Sequence, residues 1–316
     1  MKESYFHFLV LFNTILLAFT CLFQGTDKTG AAYSAKEPDK VLMNAVIVSD
    51  THASDTLRHD NNKTLTKLFA GIGKSRTQLD AIVIPGDLTQ CALPKEYAIL
   101  SAVIGRYHSA DAVIPALGNH DVRGDYDAQD YEANMANYYA FCRSLGVPAR
   151  QPYWSVNVNG YLFIVLGAEA EEKDRTWFSD AQLQWLDGQL AKAERRGKPA
   201  FIVNHQVIDH TNDVDRLWYF DGSIGGQSEE VEAIIRRHTE HGLPVIFISG
   251  HLHAPFSEYT FEQHGDNLYC LNVPSVHTAQ AGQGCTLECY ADRVLIRARN
   301  FITGEWLPDA YTVTLN

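Results

Sequence analysis

Five short polar blocks in this chain each follow an apolar run. They are Ser49-Asp50-Thr51-His52, Pro85-Gly86-Asp87, Leu117-Gly118-Asn119-His120-Asp121, Asn204-His205 and Ser249-Gly250-His251-Leu252-His253. Carboxylate, imidazole and amide oxygen together suit Mn, Fe or Zn, and no block offers a thiolate. Two divalent cations held close together need a shared anionic ligand, which one Asp can supply. An Asp-x-His pair can reach one ion where the backbone turns between its members. The glycines before Asp87, Asn119 and His251 permit close backbone approach and unusual dihedrals. Taken singly, Asp50 could cap a helix, the histidines could be core or surface residues, and Asp87 and Asn119 could be turn residues. Together the blocks point to a dinuclear hydrolytic site.

Such a site needs elements that bring the five blocks to one edge. Apolar runs of strand length at 41–48, 81–84, 112–117, 200–203 and 245–248 precede the blocks. Amphipathic stretches at 62–71, 94–108, 131–145, 180–195 and 229–238 read as helices between them. Asn159-Gly160 separates strands 153–158 and 161–166 as a hairpin turn. After His253 the pattern becomes strand-rich, with candidates at 258–262, 267–273, 284–290, 293–299 and 311–315. The expected fold is α/β, a four-layer α/β/β/α sandwich of two mixed sheets flanked by helices. In such sheets, sites form outside the carboxyl ends of the strands. Two longer irregular stretches, 122–130 and 207–228, are candidates for functional or mobile loops.

The chain begins with Lys2, then an apolar run from Phe8 to Phe23, then polar residues and the small Gly30, Ala31 and Ala32. This reads as a signal peptide or N-terminal anchor over residues 1–32, with lipidation of Cys21 as a further alternative. Each alternative exports the protein. Residues 33–40 read as a linker and 41–316 as the catalytic domain. Of the six cysteines, Cys270, Cys285 and Cys289 share the strand-rich region, where a bridge or buried thiols are equally compatible. The 38 acidic against 26 basic residues give a net charge of -12, which disfavours a nucleic-acid polymer as partner. A small anionic substrate is not excluded, because two divalent ions would supply about +4 locally.

The ordered blocks, from Asp50 to His253, resemble the calcineurin-like metallophosphoesterase superfamily, in its simple one-domain group similar to cyclic-nucleotide phosphodiesterases. The resemblance implies that Asp50, His52 and His253 bind one divalent metal, that Asn119, His205 and His251 bind a second, and that Asp87 bridges them. It implies His120 as the catalytic histidine assisting the leaving group, and Asp121 as the residue orienting His120 from behind. The implied reaction is in-line attack on phosphorus by a metal-bridging hydroxide. Gln90 stands where purple acid phosphatases carry a tyrosine, and the Gly86–Gln90 block lacks the longer protein-phosphatase pattern. His205 is followed by Gln206 and Val207, without the proline often found there.

Around this set, Arg123 is a candidate substrate-phosphate contact or a surface arginine. His210 and His277 could line the pocket or serve structural roles. Trp218, Tyr219 and Phe220 could stack on a leaving group or tack their loop to the core. The expected substrate is a small phosphate ester, diester or monoester, and oligomeric state is not readable. The alternative is a non-catalytic metal-binding scaffold on the same fold.

Overall fold

The computed structural model describes residues 31–107, 110–124, 130–170, 172–218 and 222–315. Its first sheet combines β1 (Met43–Ile47), β2 (Ala81–Ile84) and β3 (Ala112–Pro115) with the C-terminal β10 (Gln283–Cys289), β11 (Arg293–Asn300) and β12 (Glu305–Thr314). The order is β12-β11-β10-β1-β2-β3, parallel across β1–β3 and antiparallel elsewhere. The second sheet has β4 (Trp154–Val158), β5 (Tyr161–Val165), β6 (Ala200–Val203), β7 (Val245–Ser249), β8 (Phe261–Gln263) and β9 (Leu268–Asn272), ordered β4-β5-β6-β7-β9-β8. Here β5, β6, β7 and β9 are parallel, with antiparallel β4 and β8 at the edges. Both sheets are mixed and flanked by helices, as expected.

Strict alternation on the second sheet explains the layering. Phe163, Val165, Phe201, Val203, Ile246 and Ile248 face the core between the sheets. Their neighbours Leu162, Ile164, Ile202, Val245 and Phe247 pack against α5 (Asp180–Arg196) and α6 (Ser228–Thr239). Those helices meet them with Leu183, Leu186 and Leu190, and with Val231, Ile234 and Ile235. Strands buried on both faces read as continuous apolar runs, which is why they were legible. On the first sheet, α1 (Asp60–Ile72), α2 (Pro94–Tyr107) and α4 (Tyr131–Ser144) bury Leu65, Leu68, Tyr97, Val103, Tyr138 and Phe141.

Several expectations are corrected. Residues 33–40 are no loose linker. Tyr33 is buried and bonds the Ile72 carbonyl at 3.2 Å, and Lys36 and Glu37 donate backbone N–H groups to Glu288 and Tyr290 at 2.8 and 3.1 Å. The strand expected at 258–262 starts only at Phe261, because Thr260 and Ser257 side chains close a turn on the backbone amides of Ser257 and Tyr259. Strand β12 begins earlier than expected and contains Pro308, tolerated on an edge where the ladder is irregular. Cys270, Cys285 and Cys289 are buried free thiols, so no bridge joins them. The signal or anchor reading falls, through residue 30, outside the described residues. Among the described residues no helix is long and apolar enough to cross a membrane.

Candidate metal centre

All five blocks emerge at the carboxyl ends of β1, β2, β3, β6 and β7, so one edge collects them. The backbone bends sharply there. Asp50, His52, Asp87, His251 and His253 all have positive φ, from 37° to 71°. Non-glycine residues rarely adopt this region, and the strain aims alternate side chains at one point instead of at opposite faces. Gly86, at φ 90°, lets His205 approach so closely that a Cβ there would lie 2.5 Å from its Nδ1. At Gly118 a Cβ would meet the Asp87 backbone nitrogen at 2.1 Å. These glycines therefore set the spacing between blocks.

The side chains converge in two groups sharing Asp87. Asp50, His52, Asp87 and His253 form one, and Asp87, His205 and His251 the other, each with donor atoms within 4.8 Å of one another. His253 Nε2 is 3.0 Å from Asp50 Oδ1 and 3.3 Å from His52 Nε2. His205 Nε2 is 3.2 Å from both Asp87 Oδ2 and His251 Nδ1. His205 Nδ1 lies 2.8 Å from the Pro85 carbonyl, which fixes the ring.

Asn119 stands at the end of β3, next to His120, whose backbone N–H bonds Asp87. Asn119 Nδ2 donates to Asp174 Oδ1 at 3.1 Å, and its Oδ1 is buried without a partner. A carboxylate only accepts, so Asp174 forces the amide to present its oxygen inward. A buried amide oxygen left bare beside clustered imidazoles and carboxylates fits a divalent cation pair.

The electrostatics agree. Burial works against ionisation of Asp50 and Asp87, but His253 and His205 beside them hold both below the usual carboxylate range. Burial likewise opposes protonation of His205, yet Asp87 and Asp50 push it up to about 9. His253 is also raised, against its burial, by Asp50. Burial takes His52 down to about 4, and burial together with His205 takes His251 down to about 3. In the metal-free cluster, protons therefore offset the carboxylates.

His120 is half-buried and leans over this centre, its ring 4.7 Å from that of His52 and its backbone N–H donating to Asp87 Oδ1 at 3.0 Å. Its Nδ1 lies 2.8 Å from the Gln90 carbonyl, and Arg123 Nη2 donates to its Nε2 at 2.9 Å. Arginine only donates, so in this geometry Nε2 accepts and Nδ1 carries the proton. The orienting role expected of Asp121 thus belongs to the Gln90 carbonyl. Asp121 is turned away, accepting from Leu88, Thr89, Gly118 and Tyr97. Burial and the charge of Asp87 push Asp121 up to about 6.

Arg123 is not a surface residue. It lies in α3 (Asn119–Arg123), a short helix absent from the expected elements, and is 3% exposed with Nη1 on Asp174 Oδ1. Asp174 was not foreseen; it sits in a charged stretch without periodicity, and no sequence signal singles it out. His210 is exposed and pairs with Asp215 at 2.7 Å. His277 is buried behind His52 with Nε2 on the Thr51 carbonyl. Trp218 packs its ring 4.7 Å from that of His251 and donates Nε1–H to the Leu252 carbonyl at 3.1 Å, so it is tied to the segment that carries His251 and His253. Tyr219 and Phe220 lie outside the described residues.

The sequence profile of the calcineurin-like phosphoesterase family matches residues 43–255. A glycerophosphodiester phosphodiesterase of Enterobacter lignolyticus is 24% identical over 167 residues, covering 50% of this chain and 54% of that protein. A protein of Rhodococcus erythropolis named "Probable cyclic nucleotide phosphodiesterase" is 31% identical over 159 residues, covering 46% of each. The chain thus spans about half the length of these curated relatives. Among solved structures, a dimetal phosphatase from Danio rerio superposes with a TM-score of 0.63 at 15% identity, over 87% of this chain and 100% of that one. A purple acid phosphatase from yellow lupin gives 0.61 at 14% identity, over 86% of this chain and 53% of that one. At these identities the likeness is one of fold.

Proposed function

This chain belongs to the calcineurin-like phosphoesterase family, and on that premise we propose that it is an exported, dinuclear-metal-dependent phosphoric ester hydrolase acting on phosphodiesters. One observation carries the reading: six ligand-type side chains from four strand ends gather in two groups that share Asp87, with His120 beside them. The diester preference is supported by the relatives named above.

In this reading Asp50, His52, Asp87 and His253 would hold one divalent ion, and Asp87, Asn119, His205 and His251 would hold the other, drawn from Mn, Fe or Zn. When bound, such a pair supplies Lewis acidity and positive charge toward the phosphoryl group. His120 is placed to act on the leaving oxygen through Nε2, once Arg123 yields that nitrogen and a proton occupies it. The Gln90 carbonyl keeps the ring in place throughout. Export rests on the apolar run of residues 8–23 and the small residues after it.

The test is turnover of bis(p-nitrophenyl) phosphate and p-nitrophenyl phosphate by purified protein with Mn²⁺, Fe²⁺ or Zn²⁺. Activity lost in Asp87→Asn is expected, since the shared ligand loses its charge. No turnover with any divalent metal in folded protein would sink the reading. Fractionation of cells making the full chain checks export: the mature protein appears outside the cytosol.

A further inference from the structure

Arg123 is the one guanidinium that touches His120 among the described residues, and a carboxylate already neutralises it. Asp174 Oδ1 accepts from Arg123 Nη1 and from Asn119 Nδ2. Both side chains are well buried, Arg123 at 4% and Asp174 at 15% exposure, so the pair is only weakly screened. The segment carrying Asp174 is pinned in place. Gln206, next to His205 in sequence, donates Nε2–H to the backbone carbonyls of Asp174 and Arg175 at 3.1 and 3.4 Å. Lys173 stands 3.6 Å from Asp174 Oδ2 on the solvent side, 67% exposed and screened.

We propose that Asp174 is a specificity-determining residue that sets a preference for singly charged phosphodiesters over doubly charged monoesters. This rests on the proposed phosphoesterase function. A monoester dianion needs one more positive charge near the phosphoryl group than a diester does. The guanidinium best placed to supply it is held by Asp174. With its charge offset by Asp174, the guanidinium gives little net attraction, and that loss weighs twice as much on a dianion as on a monoanion. Asp174 also positions Asn119, so the same carboxylate sets an inward-facing ligand oxygen and the charge of the phosphoryl pocket.

Asp174→Asn tests this with little change of shape, because the amide oxygen still accepts from Arg123 and Asn119. In Mn²⁺-loaded protein the ratio of kcat/KM for p-nitrophenyl phosphate over bis(p-nitrophenyl) phosphate should rise about tenfold, chiefly through a lower monoester KM. The double variant D174N/R123Q should lose that gain. Calorimetry supplies a reading independent of turnover. Inorganic phosphate at pH 8 should bind D174N about tenfold more tightly than it binds the parent, and dimethyl phosphate much less so. A phosphate affinity unchanged within twofold overturns the proposal, whatever the activity. A ratio that rises equally in D174N and D174N/R123Q overturns it too. Absence of all turnover in the parent protein sinks the phosphoesterase reading, and the calorimetric comparison then decides this one alone.

Discussion

The Asp121 carboxylate holds Thr89 twice, accepting its backbone N–H at 3.1 Å and its hydroxyl at 2.8 Å. The same carboxylate accepts the amides of Leu88 and Gly118 at 2.9 and 3.0 Å and the Tyr97 hydroxyl at 3.0 Å. It therefore joins the loop that carries Asp87 to the loop that carries Asn119 and His120. In Asp121→Asn, the NH₂ group faces at least two of these donors in either amide orientation. The expected cost is about 2–4 kcal/mol in urea unfolding, the range for leaving buried donors unpaired. Turnover should fall by about tenfold or more, because the ligand loops separate. A variant within about 0.5 kcal/mol of the parent would show that the carboxylate is not the joint.

Metal binding should release protons. His205, normally near 6.5, is pushed up to about 9 by Asp87 and Asp50 against its burial, and so is protonated at pH 7 without metal. A raised histidine stabilises the metal-free fold fully below pH 6.5, and that contribution is lost as pH rises through about 9. Metal must displace the proton across this window, so affinity should rise about tenfold per pH unit between roughly pH 7 and 8.5. Titration calorimetry of Mn²⁺ in two buffers of different ionisation enthalpy should report at least one proton released at pH 7, with the raised His253 adding to that from His205. Identical heats in both buffers would contradict this.

Glu96 predicts a second loss of stability with rising pH, in a lower window and outside the ligand set. Its Oε2 accepts the backbone amides of Cys91 and Leu93 at 2.8 and 3.1 Å at the start of α2. Burial pushes it from 4.5 up to about 7, in spite of those two bonds. The folded state then binds the proton more tightly than the unfolded chain, so stability falls as pH rises from about 4.5 to 7. Glu96→Gln keeps an acceptor and removes the charge. It should be more stable than the parent by about 1–3 kcal/mol at pH 8 and nearly equal at pH 4.5. Equal stability at both values would show that the carboxylate is adequately solvated.

What the sequence revealed follows from where the information is local. Asp50, Asp87 and His251 each follow an apolar strand buried on both faces, so the break in hydropathy marks the sheet edge. Asp174 has no such marker. It meets Arg123 across 51 positions of sequence, through a loop whose path is set by Gln206 rather than by its own pattern. Asp121 shows the related error. Its type and place beside His120 were right for an orienting carboxylate, but the first turn of α3 points it at the Gly118 amide and the Asp87 loop. Pro308 hid the first half of β12, because a proline inside a strand pattern argues against a strand unless the edge position is known.

Trp218 gives the last prediction, and it separates two roles for an aromatic residue beside a pocket. The ring lies 4.7 Å from His251 at an interplanar angle of 34°, and Nε1–H bonds the carbonyl of Leu252, between the candidate ligands His251 and His253. His251 and His253 both carry positive φ, 71° and 50°, so this segment needs external support to hold its shape. A residue that supports ligands should change metal affinity, whereas one that stacks on substrate should change KM for aromatic leaving groups alone. Trp218→Ala is expected to weaken Mn²⁺ binding by about tenfold, measured by competition with a chelator. Trp218→Phe keeps the ring on His251 and loses only the Leu252 bond, so it should fall between parent and alanine variant. At saturating metal, KM for bis(p-nitrophenyl) phosphate and for an alkyl diester should shift together. Unchanged metal affinity with a KM rise confined to the aryl ester would assign Trp218 to the substrate instead.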